Sequence, residues 1–298
     1  MIISASRRTD IPAYFAEDFM RSVRAGYTDV PHPFNPKNVY RVDLRPEAVD
    51  VLVFWTRDPA PLMPHLDELD RLGYRYYFLF TLLDYPERFE PGLRPLEERI
   101  ESFRRLAERI GPGRLVWRYD PILVTGVTDL DFHRRSFERL ADQLEGATRR
   151  VIISFYDAYR STERRLSALG QAGIRHYPRE ELFESVSPAA KESTAVPGSQ
   201  GGGGVPKEHT GEFLRQLARA AGERSIRPTS CAEPVPFEPY GIEAAPCIDP
   251  DLIERELGLR VTRAKDPGQR KECLCVKSRD IGVYGTCPAG CIYCYAQR

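Results

Sequence analysis

Cysteine is missing from the first 230 residues of this 298-residue chain, lysine supplies only six of its 43 basic side chains, and no apolar run is long. Each shortage excludes something. The hydrophobic runs stop short of the ~18 residues that cross a bilayer. The opening MIISASRRTD has neither the n-region nor the h-region of a secretory leader. The expectation is a cytoplasmic protein with no membrane partner. In that reducing compartment seven cysteines do not form a disulfide framework, and an odd number cannot all pair. A charge excess is lacking too, since 43 basic residues balance 43 acidic ones. That weighs against a general nucleic-acid binder, though not against a local basic groove. With lysine scarce, the positive charge is arginine, whose planar fork holds carboxylates and phosphates bidentately. Genome composition explains that bias equally well. No nucleophile elbow, Walker loop or Rossmann fingerprint occurs, and the five histidines lack metal-ligand spacing.

What is present is an alternation of strand-like and helix-like runs, with 42% apolar residues to build a core. IISAS (2–6), VDVLVFW (49–55), YRYYFLFTLL (74–83), RLVWRYDPIL (114–123), RRVIISFYDAY (149–159) and RPTSCAE (227–233) read as strands. Helical stripes fall between them, as in Leu96, Ile100, Phe103, Leu106 and Ile110, closed by GPG. Other helices are expected near 62–72, 131–145, 161–171, 211–222 and 249–258. A Ser/Pro/Gly stretch at about 185–206 reads as a flexible insertion. Six β/α units predict an α/β fold with a parallel sheet, either an open doubly wound sheet or a barrel. Polar clusters at the strand ends favour the barrel: SRRTD (6–10), WTRDP (55–59), WRYDP (117–121), FYDAY (155–159) and CAEP (231–234). A parallel barrel gathers its site from the C-terminal ends of several strands, whereas an open sheet concentrates it at one switch point. The expectation is therefore a partial parallel β/α barrel over 1–235. An irregular cysteine-rich segment, 236–298, would close over its mouth.

The seven cysteines occupy the last quarter: Cys231, Cys247, Cys273, Cys275, Cys287, Cys291 and Cys294. Thiols serving as small core hydrophobes would be scattered, so metal ligation is the better reading. Zinc takes two C-x2–4-C pairs, and iron–sulfur clusters take thiolates at cluster-specific spacings. The triplet Cys287-x3-Cys291-x2-Cys294 offers three ligands at short range and leaves a fourth position open. Cys231, Cys247, Cys273 and Cys275 match the ligand count of a second cluster or a zinc site, or else two ligands and two free thiols.

The triplet, with Tyr293 before its last cysteine, resembles the signature of radical S-adenosylmethionine (SAM) enzymes. The YCYA of 293–296 is similar to the subgroup containing spore photoproduct lyase. That resemblance implies a β/α barrel and a [4Fe–4S] cluster on Cys287, Cys291 and Cys294. It also implies SAM on the open iron and a 5′-deoxyadenosyl radical that abstracts hydrogen from a substrate. A reducing donor such as ferredoxin or flavodoxin is implied as well. Tyr293 would pack near the adenine. The stretches ISASRRTDIPA, FWTRDPAP, WRYDPI, CAE…YGI…CID and QRKECLCVKSRDIGVYGTCPAGCIYCYA resemble, over nearly the full length, a bacterial family known as a domain of unknown function (number 1848). Two features depart from the radical SAM pattern. The triplet stands at the C-terminus instead of after the first strand, and no GGE-like strand end is present. The GGGG of 201–204 lies in the flexible insertion, and the resemblance implies more chain beyond YCYA.

Candidate site residues follow from the strand ends. Arg7 and Arg8 would hold a SAM carboxylate or substrate anion, and Asp10 is a catalytic candidate or a helix N-cap. Arg57, and Arg118, Tyr119 and Asp120, repeat an aromatic–Arg–Asp theme that suits catalysis, cofactor binding or ion pairs inside the barrel. Glu233 would bind a SAM amino group or a substrate cation, or cap a loop. The favoured reading is a radical SAM enzyme. The alternatives are a barrel with a stapling zinc or closed cluster and a hydrolase or binding function, and, third, a nucleic-acid repair enzyme.

Overall fold

The computed structural model describes residues 1–33, 35–185 and 204–297. Its centre is an eight-stranded sheet in which every pairing is parallel. In chain order the elements begin with β1 (Ile2–Ala5), α1 (Ile11–Tyr14), α2 (Ala16–Ala25), β2 (Tyr27–His32), β3 (Asn35–Asp43) and β4 (Val51–Thr56). Next come α3 (Leu66–Arg71), β5 (Tyr76–Thr81), α4 (Leu96–Ile110), β6 (Leu115–Ile122), α5 (Leu130–Leu144) and β7 (Arg150–Phe155). The remainder comprises α6 (Arg160–Gln171), α7 (Arg179–Leu182), β8 (Phe183–Ser185), β9 (Gly204–Pro206), α8 (Glu208–Glu223), β10 (Arg227–Ser230), β11 (Glu243–Ala244), α9 (Pro250–Leu257) and β12 (Arg279–Asp280). The sheet runs β11-β10-β7-β6-β5-β4-β1-β12.

All six strands expected from the sequence are in that sheet, in sequential order. The two added at its edges, β11 and β12, are two residues each and carry no hydrophobic run to announce them. Barrel closure is not seen: β11 and β12 end the order and do not pair with each other. Irregular chain joins the two edges instead, with Val276 N–H donating to the carbonyl of Ile248 at 3.2 Å. The β2–β3 hairpin stands apart as an antiparallel pair that the sequence reading left unassigned. Most of the 185–206 insertion lies outside the described residues; β8 and β9 pair antiparallel at its two ends.

The central strands are apolar on both faces because both faces are covered, as parallel sheets require. All residues of β4 and β5 are buried. The alternation of a strand sends Leu52, Phe54, Tyr76, Phe78, Phe80, Trp117 and Tyr119 into an outer core beneath the helices. Val51, Val53, Trp55, Tyr77, Leu79, Val116 and Ile152 go to an inner core. The outer helices have ordinary causes. In α5, for example, Asp129 caps the N-terminus by accepting from Phe132 N at 2.7 Å. Apolar His133, Phe137, Leu140, Ala141 and Leu144 positions then face the sheet.

The inner core is filled by the chain between β11 and β12. Ile248, Leu252, Ile253 and Leu257 of α9 and its approach pack there beside Cys247, Cys273 and Cys275. Asp249 and Pro250 start that helix, and Gly258 ends it at a φ of 67°. Two polar anchors set its depth. Tyr77 donates its hydroxyl to the carbonyl of Cys247 at 2.8 Å. Arg150, inside the sheet, is matched on Asp249 (2.8 Å), Thr229 (3.1 Å) and the carbonyl of Pro246 (2.8 Å). A buried cation so fully paired is a structural bolt. Among the described residues no helix is long and apolar enough to cross a membrane.

Candidate metal and cofactor site

One cavity of about 260 Å³ opens at the C-terminal ends of the strands, bordered by residues of β4, β5, β6 and β7 and by those just after β1 and β10. The chain leaving β1 and that leaving β10, each one strand in from an edge, share a cavity only if the sheet curls. All seven cysteines border it, and all are free thiols.

The triplet reaches the cavity because β12 lies against β1. Ile3 pairs with Arg279 and Ser4 with Asp280. Asp280 is the clasp: its carboxylate accepts from Ser4 Oγ (2.9 Å), Ser6 Oγ (2.8 Å) and the backbone N–H groups of Arg7 (2.8 Å) and Gly282 (2.9 Å). A side chain at Gly282 has no room, since its Cβ would stand 1.9 Å from Ser6 Oγ. The chain then runs into 285–296. Here Gly92 N–H donates to the carbonyl of Ala289 (3.0 Å) and Ile292 N–H to that of Phe89 (3.1 Å). Gly92 permits that approach, because a Cβ there would meet Pro288 O at 2.6 Å. Arg165 of α6 donates to the carbonyls of Ile292 (2.9 Å) and Cys294, and Tyr295 donates to that of Arg7 (2.8 Å). The loop is thus fixed at both ends. Burial pushes the Cys291 thiol up to about 12 and raises Cys287 as well, so any metal bound here displaces protons.

Most sequence candidates meet in this cavity. Arg7, Arg8, Asp10, Arg57, Arg118, Asp120 and Tyr293 border it. Asp10 caps α1 through Ala13 N (3.0 Å) and accepts from Arg57 N (2.7 Å). Burial nevertheless lifts its carboxyl to about 7. Arg57 is paired with Glu90, which also accepts from the Tyr293 hydroxyl. Tyr293 is buried, with Tyr85 5.4 Å away and the Arg57 guanidinium 5.3 Å from its ring centre. Arg118 is paired with Asp120, whose other oxygen accepts from Ser154 Oγ at 2.6 Å. Arg8 leans on Tyr284 and Asp280.

Two candidates are corrected. Tyr119 does not border the cavity; strand alternation turns it outward between Arg118 and Asp120, where its hydroxyl meets His133 Nδ1 at 2.9 Å. Glu233 is likewise outside the cavity. It accepts from Phe155 N (2.8 Å) and pairs with Arg179 (2.5 Å), a buried tie between β7, β10 and α7. Sequence reading passed over Asp280, Glu90, Ser154 and Arg165. Asp280 stands seven residues before the triplet, but nothing local marks a carboxylate whose partners lie some 270 positions away.

The other four cysteines also converge. The sulfurs of Cys231, Cys273 and Cys275 lie within 4.8 Å of one another, and Cys247 Sγ is 3.0 Å from that of Cys231. Hydrogen bonds from the neighbouring thiols hold Cys275 far below the usual thiol range.

A parallel α/β sheet with seven free thiols around one cavity at its strand ends, three of them close enough together to hold a metal ion, defines the class of this protein. This chain belongs to the family described as domain of unknown function (DUF1848), whose model matches residues 2–296. No curated protein matches it.

Proposed function

We propose that this protein is an iron–sulfur enzyme of the radical SAM type on a partial β/α barrel. Cys287, Cys291 and Cys294 would be the protein ligands of its [4Fe–4S] cluster. One observation carries the reading: the three thiols of a C-x3-C-x2-C loop border a cavity formed at strand ends and flanked by arginines. The donor set fits. Three thiols on one eight-residue loop are of the type that iron–sulfur clusters take as ligands. Three thiolates also leave one iron free. With SAM bound, such a cluster supplies a 5′-deoxyadenosyl radical, the electron coming from a ferredoxin- or flavodoxin-like donor.

The chain's own residues do the rest. Arg7 and Arg8 present positive charge beside the loop and suit the carboxylate of SAM or of a substrate. Asp10, buried and titrating near neutrality, can hold or release a proton or face an ammonium group. Arg57 is fixed by Glu90 and cannot swing, so it acts as a stationary charge. Arg118, Asp120 and Ser154 form a polar wall on β6 and β7 for the substrate.

The test is anaerobic reconstitution with iron and sulfide, followed by reduction in the presence of SAM. The expected outcome is iron and sulfide bound to the triplet and 5′-deoxyadenosine formed, with Cys291→Ala abolishing its formation. An iron-loaded protein inert toward SAM, or a Cys291→Ala variant that still cleaves it, sinks this reading.

A further inference from the structure

The proposed radical chemistry leaves four thiols without a role. They arrive from three separated stretches: Cys231 just after β10, Cys247 after β11, and the C-x-C pair Cys273 and Cys275 before β12. The compactness of the group, 4.8 Å or less among three sulfurs and 3.0 Å to the fourth, is the scale of sulfurs sharing a metal, about 3.8 Å for one ion with bonds of ~2.3 Å.

A second observation is independent of the thiols. Three buried nitrogens have no acceptor among the described residues: Arg7 Nη2, Trp55 Nε1 and Arg118 Nε. They belong to one stack, with the guanidinium carbons of Arg7 and Arg118 5.0 Å and 4.9 Å from the Trp55 ring centre. Trp55 packs in the same inner core as Cys247, Cys273 and Cys275. Three unmatched N–H groups are costly to bury and call for an acceptor beside the thiols. Free thiols are weak acceptors. Four thiolates around a divalent ion, or around a [4Fe–4S] cube, carry a net charge of about −2.

We propose that Cys231, Cys247, Cys273 and Cys275 hold a second, coordinatively closed metal centre that accepts N–H donation from Arg7, Trp55 and Arg118. Loading a divalent ion forms four metal–sulfur bonds and releases the protons that the thiols still carry, with no change of oxidation state. All four protein positions are then filled, so this centre has no open site for SAM. Its ligands include none of the triplet, so metal binding here is tested apart from the radical reading, with which it shares only Arg7 and Arg118.

The experiment isolates it. The full chain carrying Cys287→Ala, Cys291→Ala and Cys294→Ala is reconstituted anaerobically, once with Zn(II) and once with iron and sulfide. Metal and acid-labile sulfide are then counted per chain. About one zinc without sulfide identifies a lone ion, and about four irons with matching sulfide a cluster. Either result supports the centre, provided further Cys231→Ser and Cys275→Ser changes remove the metal. Fewer than about 0.2 centres per chain in both reconstitutions overturns it. Should the triple variant fail to fold, alkylation of the wild-type chain gives the answer. Peptides with Cys231, Cys247, Cys273 and Cys275 should be protected until metal is stripped, and their labelling in the metal-loaded protein overturns the proposal. Trp55→Phe keeps the ring and removes one N–H. The absorption bands of the loaded centre should shift at unchanged stoichiometry; an unshifted spectrum removes Trp55 from the donor set.

Discussion

On the outer side of the sheet, Tyr76, Phe78 and Phe80 meet helices whose apolar stripes were written to receive them. On the inner side, Tyr77 and Leu79, one residue out of phase, meet thiols and a chain with little regular structure. The outer face is held by area and ring packing, and its partners are close in sequence. The inner face is held by a few directed contacts, such as Arg150 on Asp249 and Tyr77 on Cys247, whose partners are about 100 and 170 residues away. The outer face makes the scaffold and the inner face makes the site. The two can be separated by experiment.

The largest effect belongs to the outer face. Phe137 stacks on Trp117 at 4.8 Å and meets Tyr119 edge-on at 5.1 Å. Phe137→Ala should cost about 4 kcal/mol in urea unfolding, with metal content per folded chain unaltered. Metal loss at full folding would break the division between faces. On the inner face, Asp280→Ala strips the acceptor from two hydroxyls and two backbone N–H groups. A loss of about 3 kcal/mol is expected, confined to 279–297 in hydrogen exchange. If protection falls equally across β4 and β5, the clasp is no local device.

A pH series on the wild type and on His133→Gln isolates the outer face, because Asp10, raised to about 7, titrates in the same window with the opposite sign in both proteins. Burial lowers His133 to about 4, against about 6.5 unfolded. Its Nδ1 faces the Tyr119 hydroxyl and its Nε2 the carbonyl of Leu123 at 3.2 Å, an arrangement that suits the neutral ring. The unfolded state therefore binds the extra proton first. Stability from this residue is complete above pH 6.5 and falls as the pH drops toward 4, by about 2 kcal/mol at pH 5. His133→Gln should flatten that part of the profile, and an unchanged slope would place the acid sensitivity elsewhere. The smallest effect is expected from Tyr295→Phe, which deletes one hydrogen bond to the carbonyl of Arg7. It should cost less than about 1 kcal/mol and loosen only the cysteine loop, seen as faster exchange at 285–296.

The same division decides what could be read from the residues alone. Six strands and α4, with its stripe from Leu96 to Ile110, were legible because apolar period and length are local signals. The triplet was legible because its ligands share eight residues. Tyr119 was misplaced because a strand end uncertain by one residue reverses the face of every side chain on it. Glu233 was misplaced because a carboxylate beside a strand end looks the same whether it meets a substrate or Arg179. The group of Cys231, Cys247, Cys273 and Cys275 could be counted but not assembled, since its geometry depends on how β10, β11 and β12 are brought together. Asp280 and the two-residue strands left no local trace.

The pairing of Ile3 with Arg279 also fixes an order of events. Contacts so distant along the chain form late, after the sequential β/α units have condensed, and β12 has few rungs with which to resist opening. Its release costs far less than unfolding the sheet, and the cysteine loop follows once its ties to Phe89, Gly92 and Arg165 also break. Folding thus has an interval in which the scaffold is finished, the last strand is still loose, and the thiols can be reached from solvent.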